Sequence, residues 1–71
     1  MKMNAMELEY YEAGLQDASE ARRIVVACRS ARYEALCKKH RLPIGKQSVR
    51  CVDAYNKGVA HEVCRQASLM A

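Results

Sequence analysis

The sequence predicts an all-α fold: an antiparallel two-helix hairpin with a long first helix, dimerising into a helical bundle. Three observations predict it. One proline and three glycines punctuate the whole 71 residues, the first half carries a sustained helical period, and no stretch shows the polar–apolar alternation of a strand. Size adds a constraint, because a chain this short buries only about 60% of the surface its unfolded form exposes. Such chains need a disulfide, a metal, a second subunit or very regular helix packing. With Trp and Phe absent, Tyr10, Tyr11, Tyr33 and Tyr55 are the large aromatic anchors.

The first element is a helix over about 5–41. Glu9, Glu12, Gln16, Glu20, Arg23, Ala27, Ser30, Glu34, Lys38 and Arg41 follow one another at steps of three or four and form a solvated stripe. Opposite lie Tyr11, Ala18, Ala21, Val25, Cys28 and Leu36, flanked by Leu8, Leu15 and Ile24. Glu34 and Lys38 add an i,i+4 pair of the favourable orientation. Gly14 costs a helix about 1 kcal/mol against Ala, and Asp17-Ala18-Ser19-Glu20 has the form of a capping box at which a helix restarts. The stripe nevertheless passes Gly14 without a slip of phase, which predicts continuity.

Arg41-Leu42-Pro43-Ile44-Gly45 is the one strong break, since Pro disfavours helix at the residue before it. It predicts a turn at 42–45. A second helix follows over about 46–70, with Val52, Tyr55, Val59, Val63 and Met70 on one face and Lys46, Arg50, Asp53, Lys57 and Arg65 on the other. Gly58 offers a C-terminal stop, but the apolar face continues through it. The whole chain, 1–71, reads as a single helical domain.

A first helix of that length runs to about 55 Å, and the second covers about two thirds of it. The acidic stretch at roughly 5–20 is left bare. Closed two-fold dimers are the commonest oligomers, so a homodimer is expected, with Leu8, Tyr11, Leu15, Ala18 and Val25 at the dimer or partner interface.

Charge is segregated. Glu7, Glu9, Glu12, Asp17 and Glu20 oppose only Lys2 within 1–20, whereas nine bases oppose only Glu34 within 21–50. Three readings fit: helices obeying their macrodipoles, an acidic end lying along a partner's basic middle, or a basic patch for phosphates.

The four cysteines are Cys28, Cys37, Cys51 and Cys64. Met1–Met6 lead into acidic residues rather than an apolar secretory core, which predicts a cytoplasmic protein with reduced thiols. No run of about 18 apolar residues exists to span a membrane. Cys37-x-x-His40 and His61-x-x-Cys64 together form a zinc-type donor set. In the expected hairpin, opposed residues have numbers summing to about 88. His61 then lies beside Ala27 or Cys28, about 20 Å from His40, so neither a metal nor another cofactor is expected. The same register sets Cys37 against Cys51 and leaves Cys64 as the exposed, oxidisable thiol.

Residues 34–52 also read as a helix-turn-helix-like segment. Lys46, Gln47, Ser48 and Arg50 would be its possible nucleic-acid contacts, and Cys37, Leu42, Val49 and Val52 its core positions. Against it, the link at 41–45 is longer than the usual turn. No phosphate loop, HExxH or nucleophile elbow is present, so no enzymatic activity is expected.

The compact size, the clustered Met1, Met3 and Met6, and the run Leu36-Cys37-Lys38-Lys39-His40-Arg41-Leu42-Pro43 resemble small accessory early-region proteins of lambda-like temperate bacteriophages. The resemblance implies a short, cytosolic, helical and dimeric protein that modulates host or phage processes. The expected function is regulation through protein–protein contacts. DNA-binding transcriptional regulation is the alternative.

Overall fold

The computed structural model describes residues 3–22, 25–41 and 46–70, the last with side chains from 48 to 69. It contains α1 (Ala5–Ala21), a 3-10 turn (Ala27–Arg29), α2 (Ala31–His40) and α3 (Lys46–Met70), and no strand among the described residues. The chain is all-helical, but it has three α-helices rather than two.

Each element starts and stops for local reasons. Asn4 caps α1, its side chain accepting from the Glu7 N–H at 2.8 Å while its amide donates to the Glu7 carboxylate at 3.1 Å, a reciprocal cap. The helix runs through Gly14 as expected, then ends where the expected helix does not. Arg22 takes a left-handed conformation (φ 54°, ψ 36°), and its N–H closes on the Ala18 carbonyl. Downstream lie three consecutive β-branched residues, Ile24, Val25 and Val26, poor helix formers because their χ1 is restricted against the preceding turn. Val26 is extended. Ser30 then restarts the helix as the N-cap of α2, accepting from the Tyr33 N–H at 3.0 Å. Arg41, again left-handed, closes α2. The expected turn at 42–45 lies outside the described residues. The second helix has the expected bounds and passes unbroken through Gly58.

The break at 22–30 changes the topology. Glu9 pairs with Lys39 and His40, and Asp17 and Glu20 pair with Arg32, so α2 runs antiparallel to α1. Against α3 the order ascends on both sides: Asn4 and Glu7 lie near Arg50 and Lys57, Tyr11 meets His61, and the Ala18 carbonyl accepts from Gln66. Helices α1 and α3 are therefore parallel. The expected antiparallel register, with His61 beside Cys28, is replaced because the direction reverses twice before α3.

The α1–α3 contact is made possible by the two glycines read from sequence as weak points. A Cβ on Gly14 would stand 2.1 Å from the Tyr55 carbonyl oxygen, and one on Gly58 would stand 2.1 Å from the Tyr11 carbonyl oxygen. Only residues without a side chain let two backbones approach so closely. Around this crossing Tyr10, Ala13, Ala18, Cys51, Ala54, Tyr55 and Val59 form the core. The described chain is a slab whose Cα atoms span 41 × 27 × 16 Å.

Candidate functional site

The acidic and basic halves of the sequence meet inside the chain. Arg32 donates to Asp17 at 2.7 Å and to Glu20 at 3.0 and 2.7 Å. Lys39 and His40 hold the Glu9 carboxylate at 2.7 and 2.8 Å. The hydrogen bond from Lys39 holds Glu9 below the usual carboxylate range, and the one from Arg32 does the same to Glu20. What the sequence suggested for an antiparallel dimer, acids along a basic middle, is thus met by α1 against α2.

Asp17 is the junction of all three helices. Burial pushes its pKa up, but hydrogen bonds from Ser30, from Tyr55 at 2.6 Å and from Arg32 outweigh it and leave it lowered. Ser30 thereby works twice, capping α2 and tying it to α1. Burial, with the bond to Asp17, pushes the Tyr55 hydroxyl up to about 12. Beside this junction Ala21, Val25, Val26, Ala31 and Arg29 line an open groove of about 560 Å³. Among the described residues each of its polar groups has a structural partner except Arg29, so the junction reads as a lock.

A second cluster stacks Tyr10 edge-on to Tyr33, and Tyr33 edge-on to Tyr55, with centroids 5.3 and 5.5 Å apart. Tyr10 donates to the Cys37 sulfur at 3.7 Å. Burial, together with the thiols of Cys37 and Cys51, pushes Tyr33 up to about 12. Cys37 and Cys51 therefore gather on the same rings, although the antiparallel register that set them opposite each other is replaced. Cys64 is exposed as expected, but so is Cys28, because it falls in the 3-10 turn and not on a helical apolar face. His61 lies 2.8 Å from the Tyr11 hydroxyl, away from His40, which packs on Tyr10. Among the described residues no three His, Cys, Asp or Glu side chains gather as a metal site.

The expected interface residues are mostly used within the chain. Ala18 is fully buried, while Tyr11 and Leu15 back onto Gly58 and Val25 packs on the core. Leu8 remains 46% exposed. The stretch at 5–20 is covered by α2 and α3, so helix length no longer demands a second copy.

Of the expected nucleic-acid contacts, Lys46 and Gln47 open α3, their side chains lying outside the described residues; Ser48 is half-buried and Arg50 exposed. Arg41 and Arg50 make no ion pair among the described residues. Val49, which a helix-turn-helix would bury, is 59% exposed.

The surface that sequence reasoning missed is the outer face of α3. Val49, Val52, Asn56, Ala60, Val63 and Ala67 recur at steps of three or four. Val52 and Val63 are half-buried, Val63 with one side against the core, and the other four are exposed. The face is hard to see in the sequence because Val52 and Val63 border the stripe of Tyr55 and Val59 that α1 covers, Val63 itself packing on the core as expected. Compared with known proteins, the chain matches no family model, no curated protein and no solved structure.

Proposed function

We propose that this chain is a non-enzymatic interaction module that regulates by binding another polypeptide through the outer face of α3. The observation that carries the reading is that face itself: apolar residues at helical spacing along an element whose opposite side is already saturated by α1. An isolated exposed valine is ordinary on any surface; here exposed Val49 is followed at helical spacing by half-buried Val52 and Val63 and exposed Ala60 and Ala67, the spacing of a helix-packing surface. The resemblance to small phage accessory proteins agrees with a regulatory role. No described helix is long and apolar enough to cross a membrane.

The test is site-specific photocrosslinking, with a photoreactive residue at Ala60 and, as a control, at Glu12 on the exposed face of α1. A polypeptide adduct at 60 and none at 12 is expected. Absence of any adduct at 60 contradicts the reading.

One observation favours a nucleic-acid reading: Arg41, which closes α2, and Arg50, in the second turn of α3, are both exposed and make no ion pair among the described residues. A gel shift titrated against salt decides it, since phosphate contacts give a log–log slope of about −0.9 per charge neutralised. No shift at low salt removes it.

A further inference from the structure

The structure assigns the outer face of α3 to a second copy of this chain, lying antiparallel on the same face about a two-fold axis at Asn56. The inference rests on the reading of that face as a binding surface and names its occupant.

Two antiparallel helices oppose residues whose numbers have a constant sum, and a two-fold axis makes the contact identical from both sides. Place the axis at Asn56. Val49 then faces Val63 of the second copy, Val52 faces Ala60, and Asn56 meets Asn56, whose amide both donates and accepts. The exposed Ala60 leaves room for close approach at the centre. Shifting the sum by seven, the next register that keeps this face in contact, opposes Asn56 to Val49 or to Val63 and leaves its amide without a partner.

Charge selects the same arrangement. Asp53 and Lys57 are exposed, one turn apart on one flank of the face, and neither makes an ion pair among the described residues. An antiparallel two-fold keeps each flank on its own side. Asp53 therefore lies beside Lys57 of the second copy, and Lys57 beside its Asp53. A parallel pairing sets one flank against the other and leaves both pairs unmade. The apolar, amide and charge patterns thus share one register, which is self-complementarity rather than a generic sticky face. The fold permits it, because α1 packs on the Tyr55–Val59 side of α3 and leaves Val49, Asn56 and Ala60 exposed, with Val52 and Val63 at the border.

Sedimentation equilibrium from micromolar to millimolar concentration tests it on the whole chain. The wild type is expected to dimerise reversibly, and Ala60→Glu to weaken dimerisation at least about tenfold through a buried unpaired charge, with unchanged helical circular dichroism. Asp53→Lys and Lys57→Asp each set like charges together twice and are expected to weaken it roughly three- to tenfold. The double exchange restores it to within about twofold of wild type. A wild type monomeric at millimolar concentration, a dimer indifferent to Ala60→Glu, or a double exchange no tighter than the singles overturns the assignment. A monomer that still crosslinks a different polypeptide at 60 overturns this inference alone and leaves the reading of the face standing.

Discussion

Gly14 and Gly58 show how one residue type reads oppositely from sequence and from structure. By helix propensity, Gly14→Ala should stabilise by about 1 kcal/mol. The added methyl, however, meets the Tyr55 carbonyl oxygen at 2.1 Å, and prising two packed helices apart costs about 1–3 kcal/mol or more. Packing wins. Gly14→Ala and Gly58→Ala are both expected to lower stability by about 1 kcal/mol or more in urea unfolding, and a gain in either contradicts the close crossing. Asp17 is the other decisive residue. Tyr55→Phe removes one of its donors and should cost about 1–3 kcal/mol. Because Asp17 is held below its ordinary value, the stability it confers is present above about pH 3.9 and lost as pH falls through and below it. Tyr33 and Tyr55, raised to about 12, act on the other side: the stability they confer is full below about pH 10 and lost above it. A melting temperature that falls at both ends is expected, with Asp17→Asn removing part of the acid loss. None of the side-chain partners of Asp17 is local in sequence, which is why the residue read only as a capping position.

At the scale of elements, the helical character of α1, α2 and α3 was legible and the break between α1 and α2 was not. The α3 bounds and the passage of α1 through Gly14 follow from periodicity, which tolerates a single glycine. The stop at Arg22 left its signal in Ile24-Val25-Val26 followed by Ser30, a β-branched run and then an N-cap residue. The stripe from Arg23 through Ala27 to Ser30 stays in helical phase by coincidence and masked it. Ser30→Ala removes both the cap and a bond to Asp17. It is expected to cost about 1–2 kcal/mol and to speed amide exchange in α2 before α1 or α3. Uniform exchange across the three helices contradicts a separately capped α2.

At the scale of the molecule, part of the charge segregation is satisfied inside the chain. Helix α2 folds back so that Arg32, Lys39 and His40 lie along Asp17, Glu20 and Glu9, and the acidic end of α1 is covered from within the same chain. That moves the available surface from the acidic end of α1 to the outer face of α3. Sequence periodicity could not separate the two faces of α3, because Val52 and Val63 sit at the edge of the buried stripe. One measurement addresses both halves of the account: isotope-filtered NOE spectroscopy on a mixture of labelled and unlabelled chains. Tyr11–His61 contacts are expected within a chain. Val49–Val63 contacts, about 21 Å apart along a single helix, are expected only between chains. Tyr11–His61 contacts found only between chains, or no Val49–Val63 contact at a concentration where the chain is dimeric, would contradict it.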